Sequence, residues 1–104
     1  MVMHFREKNP MGKDEIIKYT TKISTDWEII ENHHLQRVWK FSDFKEALEF
    51  LNITAEVCEN ENHHANFELG WAFVKILIWT HDVDGLTKKD FELALKFEEV
   101  ANIE

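Results

Sequence analysis

Three histidines are the residues of this chain whose types and spacing could do chemistry. His63 and His64 are adjacent, and His81 follows seventeen residues later at the end of an apolar run. Imidazole side chains titrate near neutral pH, so a group of them can supply both an acid and a base. The three rings can act together only if the fold returns His81 to the pair.

The segment between the histidines is typical of a β-hairpin. Residues 66–69 can run outward, Gly70-Trp71 lies near the reversal, and residues 72–80 return through β-branched and aromatic side chains. Antiparallel pairing about residue 71 sets residue 62 roughly opposite residue 80. The sequence therefore predicts that the three histidines cluster at the open end of the hairpin.

Two chemistries are open to such a cluster. A zinc site needs three ring nitrogens that converge on one ion, and apart from Glu59 the chain offers no obvious carboxylate or thiol to complete it. Adjacent residues of an extended segment point to opposite faces, so the pair His63 and His64 is poorly spaced for chelation. We favour metal-free acid–base chemistry, with two histidines on either side of a flat substrate and the third bonded to it.

Several neighbouring residues have both a functional and a purely structural interpretation. Glu59 lies four residues before His63 and could orient an imidazole, or it could be a solvated carboxylate at a helix end. Trp27 and Trp79 are expected in the core, although a tryptophan at a strand end could stack on a flat ring. The second pair, His33-His34, is predicted in a hairpin turn with no third histidine nearby, and it is assigned no role.

The remaining pattern predicts an α+β fold in the order helix-β-β-helix-β-β-helix. A four-stranded antiparallel sheet carries about three helices packed on one face. Asp43 with Glu46, and Thr87 with Asp90, form capping boxes for the second and third helices. The pattern predicts a helix over 14–20, followed by strands over 27–30 and 35–41 that are joined by a turn at 31–34. The apolar stripe of the second helix consists of Phe44, Ala47, Leu48, Leu51, Ala55 and Cys58. That of the final helix consists of Phe91, Ala94, Leu95, Phe97 and Ala101.

Composition sets the class of protein. Residues 1–104 form one domain, with residues 1–14 as a loose N-terminal arm. A net charge of −8 argues against direct binding to nucleic acid. No run suits a membrane span or a signal peptide. The single cysteine, Cys58, is expected to be a small buried hydrophobe, and a reducing, cytoplasmic location follows as the default.

The second strand of the hairpin indicates association. Between Phe73 and Trp79 it is apolar on both faces apart from Lys75, whereas helices on one side of a sheet cover one face only. The sequence therefore predicts self-association, by edge pairing or by helix packing.

Combined spacings across the chain resemble the pterin-4a-carbinolamine dehydratases. The resemblance covers roughly residues 27–101. Two departures are Ala65, where the family usually has proline, and Asn62, where aspartate is common; losing the proline frees the backbone after the histidine pair. The residues that carry the resemblance are Glu59, His63-His64, Trp71, His81 and Asp90, with the flanking segments 35–44, 80–82 and 85–90.

The resemblance implies dehydration of a 4a-hydroxytetrahydropterin to a quinonoid dihydropterin, which recycles the cofactor of aromatic amino-acid hydroxylases. His63 and His81 would be the acid–base pair, and His64 would hold the ring. The candidate substrate-contacting residues are Glu59, Ala65, Thr80, Asp82 and Trp27. The resemblance implies no metal or organic cofactor, and it implies a homo-dimer or homo-tetramer. The alternative is a non-catalytic pterin-binding or protein-interaction module, since an animal member of the family is also a dimerisation partner of a transcription factor.

Overall fold

The computed structural model describes residues 9–103. Residues 1–8, most of the predicted loose arm, lie outside the described residues, as does Glu104. None of the described helices is long and apolar enough to cross a membrane. The elements are α1 (Lys13–Thr20), β1 (Glu28–Ile30), β2 (His34–Lys40), α2 (Phe44–Glu61), β3 (Asn66–Leu69), β4 (Phe73–Ile78), a short 3-10 helix (His81–Val83) and α3 (Lys88–Ile103).

The four strands form one antiparallel sheet in the order β1-β2-β4-β3. β4 therefore lies between β2 and β3, with Ile78 opposite Leu35 on one side and Leu77 opposite Asn66 on the other. Both registers place the start of a neighbouring strand beside the end of β4. Residues that precede β2 and β3 are thereby brought to the segment that carries His81.

The helices pack on one face of the sheet, which confirms the predicted α+β architecture. α2 contacts β3 and β4, and α3 contacts α2 and β4. Burial of apolar side chains at this interface is the main stabilising contribution. The fully buried residues alternate along β4 and recur along the helices: Leu35, Val74, Ile76 and Ile78 from the sheet, and Phe50, Phe91, Ala94 and Phe97 from the helices.

The apolar stripes of the two long helices are rotated from their predicted positions. In α2, Phe44 and Leu48 are 43% and 38% exposed, while Phe50 and Thr54 are buried. In α3, Leu95 is 36% exposed. The predicted burial of Phe44, Leu48 and Leu95 is wrong, because apolar residues occupy a wider sector of each helix than the rest of the fold covers. Contact with the sheet selects the narrower row at positions 47, 50, 54 and 58.

Both ends of α2 are fixed by local hydrogen bonds. The Asp43 carboxylate accepts from the Glu46 N–H at 2.9 Å, and the Glu46 carboxylate accepts from the Ser42 N–H at 2.9 Å. Asp43 is thus the predicted N-cap, but Glu46 returns to the N–H of the residue before the N-cap and not to Asp43 itself, as a full capping box would require. Asn62 ends the helix with a left-handed backbone, at φ 53°, which turns the chain sharply just before His63.

Part of the predicted loose arm is held against the domain. The Met11 N–H donates to the Leu86 carbonyl at 2.7 Å, and Pro10 lies against Gly85. A Cβ at Gly85 would stand 2.4 Å from the Pro10 Cβ, so this close approach requires glycine. Residues 10 and 11 therefore brace the loop between β4 and α3.

Cys58 is buried in the core, as predicted. Burial raises the pKa of its thiol, and a backbone hydrogen bond from Ala65 acts in the opposite direction. Because the thiolate is the reactive form, we expect Cys58 to react with a disulfide reagent far more slowly in the folded protein than in the unfolded chain. A time course with Ellman's reagent, with and without guanidinium, measures the difference. Equal rates would show that the thiol is accessible in the native state.

Candidate active site

The three histidines predicted to act together line one cleft at the end of β4. Its volume is about 380 Å³, within the range of small-molecule sites and sufficient for a bicyclic heterocycle. The wall is mostly polar, and it includes Asn62 and Lys89, which were not among the predicted ligand contacts. The lining residues are Asn62, His63, His64, Trp79, Thr80, His81, Asp82 and Lys89.

His63 is held by a buried carboxylate. Its Nε2 lies 2.6 Å from Oδ1 of Asp90, whose side chain is fully buried. The other oxygen of Asp90 accepts from the Thr87 N–H at 2.8 Å and the Thr80 hydroxyl at 2.9 Å. Because an ionised carboxylate only accepts hydrogen bonds, Nε2 of His63 carries a proton. Nδ1 is then the nitrogen left for chemistry in the cleft.

Asp90 does more than the helix cap that its spacing from Thr87 predicts. One arm of the predicted capping box is present, since the Asp90 carboxylate accepts from the Thr87 N–H, whereas the Thr87 hydroxyl bonds to Thr80. A cap uses one carboxylate oxygen, however, and the second one is free to hold His63. The available signal was the short connection from His81 to Thr87, which sets the start of α3 beside the histidine cleft.

His64 is more exposed than His63. Its Nε2 contacts the carboxylate of Glu59, and the two side chains are 58% and 74% exposed. The sequence left open which imidazole Glu59 would orient, and the left-handed turn at Asn62 and the alternation of the extended chain bring His64 to it. An exposed pair of this kind contributes less than about 1 kcal/mol, so His64 remains adaptable.

His81 is positioned by an aromatic contact. Its ring lies 4.5 Å from the ring of Trp79, with 31° between the planes. Trp79 was expected in the core, but it is half-buried and lines the cleft. Trp27 takes the core position: it is 6% exposed and its Nε1 donates to Glu98 at 2.9 Å. The structure does not bring Trp27 to the cleft.

Of the three remaining candidate contacts, two line the cleft and one does not. Thr80 and Asp82 line the cleft, but the backbone N–H and carbonyl of Thr80 are both paired with Gly85. Ala65 is half-buried against the core and does not line the cleft. Its effect on a bound ligand is therefore limited to the backbone path that follows His64.

The pair His33-His34 lies nearer the site than predicted. Nδ1 of His33 is 3.0 Å from Nδ1 of His34, and both rings contact Trp79, at 5.4 and 5.7 Å between centroids. The predicted isolation of this pair is wrong because β2 pairs with β4, a neighbour relation that local sequence does not reveal. His33 and His34 thus face the side of Trp79 that lies towards β2.

His34 gives the fold a pH dependence. Its pKa is lowered from the ordinary value of 6.5, first by burial and then by the neighbouring charges of His33 and Lys75, while Glu31 acts in the opposite direction. Below pH 6.5 the unfolded chain therefore binds more protons at this position than the folded protein, and stability falls as pH falls. We expect native protein to lose more stability than His34→Gln between pH 7.5 and 5.5, measured by urea unfolding. Equal losses in the two proteins would contradict this assignment.

Two further features concern alternative sites. Among residues 9–103, no group of three or more histidine, cysteine or acidic side chains is arranged to hold a metal ion. A separate apolar hollow of about 450 Å³ is lined by Val38, Lys40, Trp71, Ala72 and Phe73. It lies at the opposite end of β4 from the histidines, and its lining offers no acid–base pair.

The architecture that carries this cleft is shared with solved proteins. A transcriptional coactivator/pterin dehydratase from Brucella melitensis superposes with a TM-score of 0.81 over 89% of this chain and 99% of that one, at 24% identity. A pterin dehydratase-like protein described as a RuBisCO assembly factor in the alpha-carboxysome gives a TM-score of 0.63 over 73% of this chain and 89% of that one, at 18% identity. At these identities the likeness shows the fold.

Sequence comparison identifies the family. Residues 9–100 match the model of the pterin 4 alpha carbinolamine dehydratases. A protein of Alkaliphilus metalliredigens, named provisionally for this activity, is 42% identical over 86% of this chain and 80% of its own length. A similarly named protein of Rickettsia canadensis is 40% identical over 86% and 82%. The chain belongs to the pterin 4 alpha carbinolamine dehydratase family.

Proposed function

We propose that this protein dehydrates a 4a-hydroxytetrahydropterin to the quinonoid dihydropterin. The observation that carries the proposal is the convergence of His63, His64 and His81 on one cleft, with His63 held by buried Asp90. Membership of the family supplies the substrate class. The cleft supplies the acid–base groups that this substrate requires.

The reaction needs one acid and one base. The N5 lone pair of the substrate expels the C4a hydroxyl as the C4a–O bond breaks and a double bond forms between N5 and C4a. An acid protonates the departing oxygen to give water, and a base takes the proton from N5. Neither step requires an external oxidant or reductant, and no organic cofactor takes part in the proposal.

The geometry favours His63 as the base. After taking a proton on Nδ1 the ring becomes an imidazolium, which the adjacent Asp90 carboxylate stabilises. His81, across the cleft on Trp79, is then the acid that protonates the leaving hydroxyl. His64 and Glu59 would hold the edge of the pterin, and the exposed backbone of Asp82 would contact the heterocycle. Glu59 would thus act through its contact with His64.

The decisive experiment is turnover of a synthetic 4a-hydroxytetrahydropterin, followed by absorbance of the quinonoid product. We expect the native protein to exceed the buffer rate at least 100-fold, the lower range of general acid–base catalysis. Heat-unfolded protein is the control for contaminants. A rate equal to that of buffer, with a reduced pterin analogue still bound in calorimetry, would exclude the enzyme and leave a binding module.

A non-catalytic interaction module is the second candidate. It is favoured by two proteins with this fold that are described as a transcriptional coactivator/pterin dehydratase and as a RuBisCO assembly factor. It is also favoured by an exposed apolar surface on the outer face of the sheet, where Trp71 is 70% and Val38 44% exposed. Binding of this surface to another protein, without turnover, would support this candidate.

We further propose that the outer sheet face joins copies of this chain into a dimer or tetramer. Val38, Trp71 and half-buried Phe73 form an apolar surface that a lone protomer leaves open to water. We expect light scattering to show an oligomer, and Val38→Lys with Trp71→Lys to shift it towards the monomer. Leu48→Lys, on the exposed side of α2, is the matched control. A native monomer at 100 µM would contradict this expectation.

The proposal includes a cytoplasmic location. The resemblance makes the substrate the spent cofactor of aromatic amino-acid hydroxylases, and free Cys58 suits a reducing compartment. Fractionation of cells that express the protein at its natural level tests this part.

A further inference from the structure

The turn between β1 and β2 reaches the histidine cleft. Glu31 and Asn32 both have positive φ, 52° and 55°, and the His33 N–H donates to the Ile30 carbonyl at 2.8 Å. Two consecutive residues with positive φ are the feature of tight hairpin turns. The turn ends at His33, level with the end of β4, because β2 and β4 are paired.

His33 contacts the loop that presents His81. Its Nε2 lies 2.8 Å from Oδ1 of Asp84. Asp84 ends the short 3-10 helix with a left-handed backbone, and its N–H donates to the His81 carbonyl at 3.1 Å. His33 therefore holds the residue that closes the turn on which His81 sits.

His33 also contacts the aromatic support of His81. The Trp79 ring lies 5.4 Å from His33 and 4.5 Å from His81, measured between ring centroids. His63 is fixed by Asp90 and His64 contacts Glu59. The ring of His81, by contrast, is oriented by Trp79 and by its own short turn, and His33 touches both.

We propose that His33 is a positioning residue for His81 and acts through Asp84 and Trp79. The turn at 31–33 is on this account the outer support of the cleft, on the side opposite His63. The kinetic part of this proposal rests on the proposed dehydratase reaction, whereas the orientation of His81 can be measured without substrate. Asp84 is 86% exposed, so the effect is a modest loss of preorganisation and not a loss of catalysis.

Nuclear magnetic resonance of the histidine rings tests the orientation directly. The Hε1 signal of His81 is shifted by the ring current of Trp79, and we expect His33→Ala and Asp84→Ala each to move it towards the value of an unstructured peptide. Asp26→Ala is the matched control, since Asp26 is an exposed aspartate paired with Arg37 on β2. An unchanged His81 signal in both His33→Ala and Asp84→Ala overturns the proposal, whatever the rates.

Kinetics then separate positioning from general stability. We expect His33→Ala to lower kcat about 3- to 10-fold with KM within twofold, which corresponds to about 0.7–1.4 kcal/mol of barrier. His33→Gln keeps an amide donor for Asp84 and should recover most of the loss. The double variant His33→Ala/Asp84→Ala should be no slower than either single variant. A native protein without turnover would refute the dehydratase reaction, while the His81 signal would still decide the positioning role.

Discussion

Replacing His63 or His81 with alanine is expected to lower kcat for the 4a-hydroxytetrahydropterin by about 10²- to 10⁴-fold, the range that one acid–base group supplies. The two rings line the same cleft, and each serves one half of the proton transfer. Because they act on one step, the double variant should be little slower than the poorer single variant. Stopped-flow absorbance of the quinonoid product measures all three.

The control variant at position 63 keeps the hydrogen bond to Asp90. His63→Gln keeps a hydrogen-bond donor for Asp90 but cannot exchange a proton at neutral pH. We expect His63→Gln to be as inactive as His63→Ala and more stable in urea. Wild-type turnover in His63→Gln would mean that the ring serves structure and that the proposed base is wrong. Lys18→Ala, an exposed change on α1, controls for the preparation.

Replacing Asp90 with asparagine should damage both stability and rate. The fully buried carboxylate accepts from His63, Thr87 and Thr80. The amide presents a donor where one of these donors needs an acceptor, so we expect a loss of about 2–3 kcal/mol in the free energy of unfolding. We also expect a fall of about 10²-fold or more in kcat, because the tautomer of His63 is no longer fixed. Urea unfolding and turnover of the folded variant measure the two effects.

A second helix cap provides the matched control for Asp90. Asp43 caps α2 from an exposed position and contacts no histidine. Asp43→Asn retains a side-chain acceptor for the cap and should change stability by less than about 0.5 kcal/mol with unchanged kcat. Should Asp90→Asn keep native turnover while folded, the carboxylate would be a cap only. In His63→Gln/Asp90→Asn, the rate losses should be far from additive, since both changes act on one ring.

Local signals identified the elements because they depend on neighbouring residues. The helix caps that involve Asp43 and Asp90, and the alternating strand Phe73–Ile78, are short-range patterns that each segment carries by itself. The hairpin from 66 to 78 is also local, so its register returned His81 to the level of His63-His64. Contacts between distant segments had no such signal.

The amino-acid sequence by itself determined the order of helices and strands, the antiparallel sheet and the two strands between the histidine pair and His81. Only the tertiary structure decided that β2 lies beside β4, which brings His33 against Trp79. It also decided that Asp90 reaches His63 and that Trp79 lines the cleft. The physical reason is that side-chain direction and strand order follow from packing the helices on the sheet, which depends on the whole chain at once.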